Sequence, residues 1–279
     1  MDFLNNSLQI VLVLYQTKIE DSLCFQSLLK YIYPLNLNYE LLIYNNSPEI
    51  IILSREDCVV INAKQNGMLA EAYRYALQLA IKSHKKWLLL LDQDTELTIE
   101  YFEELNKILH SDISEKISAI IPKIQKGNHF IAPKTYFYKL GPSFFTNSVQ
   151  KAGIYKKCFL AINSGTVLNA EAINETGGFP ERFPLDGLDF WYFSQLYKNG
   201  KSFYVMNTVL EQNLSVLNGS AISTDRYASI LNAELLLNRE LGFLAVLLWK
   251  IKIPLQVIKR AFYKDKRKFT GLTLSYLFK

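Results

Sequence analysis

The sequence predicts an α/β fold: a mixed, mainly parallel sheet with helices on both faces, followed by a basic helical appendage. Three observations carry this. Short runs are apolar at every position, helical stretches alternate with them, and residues able to do chemistry stand directly after the runs. Strands covered by helices on both sides lose the alternation of a half-buried strand and read as continuous apolar segments.

LQIVLVLY (8–15) is the first such run, and the spacing of EDSLCFQSLLKYIY (20–33) predicts a helix stopped by Pro34. ELLIYNN (40–46) is a second strand, ended by Ser47-Pro48, and DCVVIN (57–62) a third. MLAEAYRYALQLAIKS (68–83) is an amphipathic helix, and KWLLLL (86–91) a fourth strand with no polar position after its lysine. Residues 123–157 mix Lys, Gly, Pro and aromatics without a period and read as loop and short strands. FLAIN (159–163) reads as a strand, and AEAINET (170–176) as a short helix ended by Gly177-Gly178. DFWYFSQLYKN (189–199) is a helix closed by Gly200, KSFYVM (201–206) a strand, and DRYASILNAELLLNREL (225–241) a long helix. The expected division is a catalytic-sized domain over 1–240 and a tail over 241–279.

With 49% hydrophobic residues the chain can bury a large core. Cys24, Cys58 and Cys158 are odd in number and widely spaced, which fits buried thiols in a reducing cytoplasm better than a disulfide framework. The opening MDFLNNSLQIVLVLY has no basic segment before its apolar run, so no signal peptide is expected. The net charge of +5 is unevenly placed: residues 1–240 sum to −3 and residues 241–279 to +8. A body that is mildly acidic argues against a nucleic-acid-binding surface.

In open parallel sheets, ligands bind beyond the carboxyl ends of the strands. LLLLDQDTEL places Asp92, Gln93 and Asp94 at that point of the most apolar strand. Residues two apart on extended backbone project to one side, so the two carboxylates can converge. Two hard oxygen donors suit Mg²⁺ or Mn²⁺, which keep positions open for substrate phosphate. The competing reading is that both acids cap the following helix, whose N-terminus favours negative charge. A second constellation spans residues 163–191. Asn163-Ser164-Gly165 follows a strand, and its small residues would let backbone amides approach a ligand. Asp186 and Asp189 bracket the start of the next helix. Either could act as a general base, while the plainer reading makes Asp189 an N-cap and Asp186 a loop acid.

Other residues carry less. His84, His110 and His129 have no metal spacing and fit solvated helix ends and loops. Tyr73, Tyr75 and Leu77 fit sheet-packing core or its rim. Tyr136, Phe137, Tyr138, Phe144 and Phe145 could form a stacking platform for a ligand, with local core packing as the alternative.

Taken in order, these features resemble inverting family 2 glycosyltransferases, in particular rhamnosyltransferase-like members that build bacterial surface polysaccharides. The likeness rests on a first strand ending in Tyr15, an Asn-Ser turn after the second, Asn66-Gly67 opening a helix, and LLLLDQD. Ser164-Gly165, GGFPERF and DGLDFW complete it, over about residues 8–240. The resemblance implies the GT-A fold, a Rossmann-like sheet with a sugar-nucleotide donor at its carboxyl edge. It implies that Asp92 contacts the nucleotide and its ribose, that Asp94 ligates Mn²⁺ or Mg²⁺, and that Tyr15, Asn45 and Asn66 line the nucleoside pocket. It implies a base drawn from Asp186 and Asp189, with Asp189 preferred. The sequence departs from the family pattern at Asn45, where an acid is common, at Gln212, where relatives often have a metal-binding His, and at Trp191, often an acid. Glu211 is the neighbour that could stand in for that His.

The implied function is transfer of a sugar, with inversion, from a nucleotide-diphosphate donor to a saccharide acceptor, with a lipid-linked saccharide fitting best. The alternative is a non-catalytic sugar-nucleotide or glycan-binding scaffold, motivated by Asn45 and Gln212. A metal-dependent nucleotidyltransferase is disfavoured because no glycine-rich, basic loop follows the first strand. The tail segment 243–269 joins a short apolar run, Pro254 and clustered cations. Its run falls short of the ~20 residues a spanning helix needs. The expectation is a kinked amphipathic helix lying in the headgroup plane at the inner face of the cell membrane. The alternative is a helix packed on the body with a solvated basic face.

Overall fold

The structure, a computed structural model, describes residues 7–32, 37–212 and 223–279. Pro34, the expected stop of the first helix, lies outside the described residues. The first half follows the expected alternation: β1 (Leu8–Leu14), α1 (Leu23–Ile32), β2 (Tyr39–Asn45), β3 (Cys58–Asn62), α2 (Met68–Lys82) and β4 (Trp87–Asp92). Next come α3 (Ile99–Leu109), β5 (Ala119–Lys126), β6 (His129–Ala132), β7 (Lys134–Tyr136), β8 (Thr146–Ser148), β9 (Gly153–Tyr155) and β10 (Cys158–Leu160). β11 (Thr166–Asn169), α4 (Ala170–Glu175), α5 (Leu188–Lys198) and β12 (Phe203–Glu211) complete the sheet. The chain then runs through α6 (Thr224–Leu241), α7 (Phe243–Ala261) and α8 (Thr270–Ser275).

The main sheet has the order β3-β2-β1-β4-β11-β5-β12-β9, with β6 also paired to β5. Six of its nine strands run in one direction, while β6, β9 and β11 oppose them. β7, β8 and β10 form a separate three-stranded sheet. The chain lays down β2 and β3 on one side of β1 and then returns to place β4 on the other. This reversal is a topological switch point, and the space beyond the carboxyl ends of β1 and β4 (the crevice) is the usual ligand position in open α/β sheets.

The pleat sorts one strand's side chains into two cores. From β4, Leu88 and Leu90 enter a cluster with α2, α4 and α5, while Trp87, Leu89 and Leu91 enter a cluster with α1 and α3. All five are fully buried, which is why the strand reads as apolar throughout.

Two central strands escaped the sequence reading. β5 contains Pro122, which cannot donate to a ladder and argues against an interior strand. Here the partner strand yields. β12 shifts register between Val205 and Val209, opposite the proline. The amides that this bulge removes from the ladder turn to α3: Asn207 N and Thr208 N donate to the two Glu104 carboxylate oxygens at 2.7 and 2.8 Å, and the Thr208 hydroxyl donates at 2.6 Å. β11 is only four residues long and follows an irregular stretch, so no period betrays it. The expected strand 159–163 shortens to β10, and β12 extends five residues past the expected 201–206.

In the tail, α7 runs through Pro254 as one helix, and a 3₁₀ turn at Lys264–Phe269 leads into α8. Tyr227, Leu231 and Leu235 of α6 form a third cluster with Trp249, Ile253, Phe269 and Tyr276.

Glu104→Ala should lower stability by about 1–3 kcal/mol, since it strands the bulge amides that the carboxylate holds. Urea unfolding should show a lower midpoint with an unchanged slope.

Candidate active site

The turn after β4 is tied down from three directions. Tyr15 N donates to Gln93 Oε1 at 2.8 Å, and Gln93 Nε2 donates back to Tyr15 O at 3.2 Å, so the side chain bridges the ends of β1 and β4. The Gln93 carbonyl accepts from Ser22 Oγ at 2.9 Å and from Cys24 N at 3.3 Å, at the start of α1. Asp92 N donates to the fully buried Ser164 Oγ at 3.1 Å, and Ser164 also bonds Thr95 Oγ1. The helix that follows is capped by Thr98, whose side chain accepts from Tyr101 N. Asp92 and Asp94 are therefore not its caps.

Asp92 lies half-buried with Tyr73 OH 3.4 Å from its Oδ1. Burial, reinforced by the charge of Asp94, pushes its carboxyl up to about 7, against hydrogen bonds from Ser164 and Tyr73. Asp94 stands at the exposed rim, but its carboxyl end is desolvated and also raised, with a hydrogen bond from the Gln212 side chain opposing the shift. Asp189 occupies the first turn of α5, which Gly187 caps, and its Oδ1 accepts from Phe190 N at 2.9 Å. It is not the N-cap. Burial again dominates, the Asp92 charge adds to it, and the carboxyl is pushed up to about 7. A helix N-terminus and a backbone donor would ordinarily lower it, so desolvation wins. The phenols of Tyr73 and Tyr192 are both raised by burial first and then by Asp92 and Asp189, which marks one shared cluster. Tyr192 OH donates to Asn163 Oδ1 at 3.1 Å.

The other expected site residues divide. Asp186 accepts from Ser229 Oγ at 2.9 Å and pairs with Arg226 at 2.9 Å, so both its oxygens bind α6. Burial nonetheless leaves its carboxyl raised. Asn45 is fully buried and its amide is committed: Nδ2 donates to Glu49 O and Asn62 Oδ1, and Oδ1 accepts from Ser47 N. It shapes the loop after β2. Asn66 Oδ1 accepts from Met68 N and so starts α2. Tyr15 is exposed at the crevice mouth.

Gly165 was expected to offer an amide to a ligand, but that amide donates to Leu90 O at 2.9 Å inside the sheet. Its φ of 76° favours glycine, and an added Cβ would stand 2.9 Å from Leu210 Cδ1 and 3.2 Å from Pro122 Cγ. Trp191 turns away from the cluster and donates to Glu240 on α6 at 2.7 Å. Tyr136 is buried, whereas Phe137, Phe144 and Phe145 are exposed.

Among the described residues, no three His, Cys, Asp or Glu are grouped to hold a metal. Glu211, the neighbour that could stand in for the His, accepts from Gln125 Nε2 and Gly127 N. Gln212 is different. It is 4% exposed, it hydrogen-bonds Asp94, and its Oε1 has no hydrogen-bond partner among the described residues. An unpartnered buried oxygen costs free energy, and an amide oxygen is a donor of the hard kind that Mg²⁺ and Mn²⁺ take. Tyr73 and Gln212 are the contributors that spacing alone could not assign. The hydroxyl in an otherwise apolar helix stripe was the available signal for Tyr73.

No protein-family model matches the sequence, and no curated protein matches it by sequence. A structural match is found to the crystal structure of S. aureus TarS, residues 1–349, at a TM-score of 0.50 and 11% identity, covering 97% of this chain and 91% of that one. At that identity the likeness establishes the fold, a GT-A-like Rossmann arrangement.

The Asp189 proton is held to about pH 7 in the folded chain and lost near the ordinary aspartate value, about 4, when unfolded. Between those values the unfolded state binds fewer protons, so this group makes stability fall as pH rises. Asp189→Asn keeps the acceptor for Phe190 N and removes the charge. Its melting temperature should exceed wild type at pH 8, by a free energy on the order of a few kcal/mol, and converge with it near pH 4.

Proposed function

We propose that this chain is a glycosyltransferase that moves a sugar, with inversion, from a nucleotide-diphosphate donor to a saccharide hydroxyl. The observation that carries the reading is the cluster of Asp92, Asp94 and Asp189 at the β1/β4 crevice of a GT-A-like sheet, held by Gln93, Ser22 and Ser164. The resemblance of its motifs to family 2 enzymes supports the same reading. In it the donor nucleoside lies against Tyr15 at the crevice mouth, in the pocket to which the family likeness also assigns Asn45 and Asn66, and its ribose and diphosphate approach Asp92.

Asp94, with Asp92 and the Gln212 amide oxygen, would hold Mg²⁺ or Mn²⁺. The ion supplies neutralisation of the negative charge that gathers on the departing diphosphate. The remaining work falls to side chains of this chain. Asp189 takes the proton of the acceptor hydroxyl as that oxygen attacks the anomeric carbon. The bond from that carbon to the diphosphate oxygen breaks on the opposite face, and the nucleoside diphosphate leaves with the electron pair. A carboxyl raised to about 7 is a stronger base than an ordinary aspartate and still half-ionised at neutral pH. Asp186 is assigned to anchoring α6, since Arg226 and Ser229 occupy it. The acceptor fits a lipid-linked saccharide of a cell-surface polysaccharide, handled at the inner face of the membrane.

Nucleoside diphosphate release on mixing donor, metal and acceptor tests the activity. A thermal-shift series across sugar nucleotides with Mn²⁺ identifies the donor, because binding to the native state raises apparent stability. Donor binding without release would favour the scaffold alternative. Asp189→Ala should cut turnover by at least about 10²-fold while leaving donor binding intact. Wild-type kcat/KM should rise with pH to a plateau above about pH 7, the expectation for a base active in its ionised form. Asp94→Ala should abolish the metal-dependent part of donor binding by calorimetry, and unchanged binding would remove its ligand role.

A further inference from the structure

Helix α7 has two apolar faces, and among the described residues one is packed and the other exposed. Ala245, Trp249 and Ile253 recur every four residues and are buried, with Trp249 Nε1 donating to Glu234 of α6 at 2.8 Å. On the opposite side Leu244, Leu247, Ile251, Leu255, Ile258 and the C-capping Phe262 are all exposed, Phe262 by 80%. At about 100° per residue these six fall within roughly 40° of one line, and at 1.5 Å per residue the stripe is about 27 Å long. A contiguous exposed patch of that kind marks an interaction surface. By the same helical geometry Lys252 and Lys259 lie on one shoulder of the stripe and Lys250 on the other, with exposed Lys266 and Arg267 just beyond its end.

We propose that this stripe docks on the surface of an anionic lipid bilayer, lying in the headgroup plane. Three observations select that occupant. The inner face of α7 is already committed to α6, so the helix is held parallel to the body and only its outer face is free to enter lipid. No helix among the described residues is long and apolar enough to cross a membrane. The charge of +8 belongs to residues 241–279 while the rest sums to −3, so an anionic surface attracts this segment and repels the body, which sets the orientation. The same charge opposes a second copy, which would bring its own +8 against this one. Lys252 and Lys259 on their shoulder can lay their aliphatic stems along the apolar surface and keep their ammonium groups among the phosphates, while Lys250 donates to Leu277 O at 3.0 Å. The proposal stands on the surface alone and holds whether or not the crevice transfers sugar, although it would bring that crevice to lipid-linked acceptors.

The test is co-sedimentation of the full chain with vesicles of phosphatidylcholine alone or mixed with phosphatidylglycerol, at low and high salt. Wild type should pellet with the anionic vesicles, stay in solution with the neutral ones, and be released by salt. Ile251→Asp with Leu255→Asp, and separately Lys259→Glu with Lys266→Glu, should each weaken vesicle binding by about tenfold or more. All four residues are exposed, so the melting temperature should hold. Three results would overturn the proposal. The first is wild type remaining in the supernatant with anionic vesicles, which would leave the stripe to an acidic protein partner. The second is unchanged binding by the aspartate variant. The third is a wild-type dimer that this variant converts to monomer.

Discussion

The arrangement depends on how the chain is held where β4 ends. A strand that leaves a buried sheet must release its backbone into a turn, and here that turn carries two acids. Gln93 answers both backbone groups of Tyr15, while Ser22 and Cys24 hold the Gln93 carbonyl and Ser164 holds the Asp92 amide. Three separate segments, after β1, at the start of α1 and before β11, thus converge on one peptide stretch. Side chains tied at both ends of their backbone can be kept in a desolvated place that free carboxylates would avoid.

That desolvation sets the electrostatics of the crevice. Asp92 and Asp189 are each pushed up to about 7, with burial as the leading cause and a neighbouring acid as a further one. Hydrogen bonds from Ser164, Tyr73 and backbone amides work in the opposite direction and lose. A cluster of this kind weakens the folded state at neutral pH, and folds that retain such clusters commonly do so at functional sites. Asp186 contrasts with them: it too is raised by burial, but Arg226 and Ser229 occupy its oxygens and it joins the loop to α6. Two acids three residues apart are thereby separated in role by their partners rather than by their type.

The tail obeys a different constraint. α7 uses one stripe to complete a core with α6 and α8, and the same helix presents a second stripe to solvent beside a concentration of cations. The helix is packed on the body, as one of the two readings open to the sequence has it, and its outer face is apolar. Pro254 does not divide it: the helix continues through the proline, which stands at an exposed position.

The sequence by itself determined the alternation of strands and helices among the described residues of the first hundred, because helices and fully buried strands there each impose a period that survives in the order of residues. It also located Asp92, Asp94 and Asp189 near strand and helix ends, and the charge split of the tail. It did not reveal β5 and β11. Pro122 suits an interior strand only because β12 bulges opposite it and Glu104 takes up the freed amides, a compensation spread over residues some hundred positions apart. Nor did it separate residues that meet a ligand from those that hold the frame. Asn45, Ser164 and Gly165 had the right types for contact, yet their polar groups are satisfied inside the fold, while Gln212 keeps an unpartnered oxygen beside Asp94. Residue type and spacing record local backbone preference. Which hydrogen-bonding groups remain unspent is settled only when distant segments pack together, and tertiary structure alone decides it.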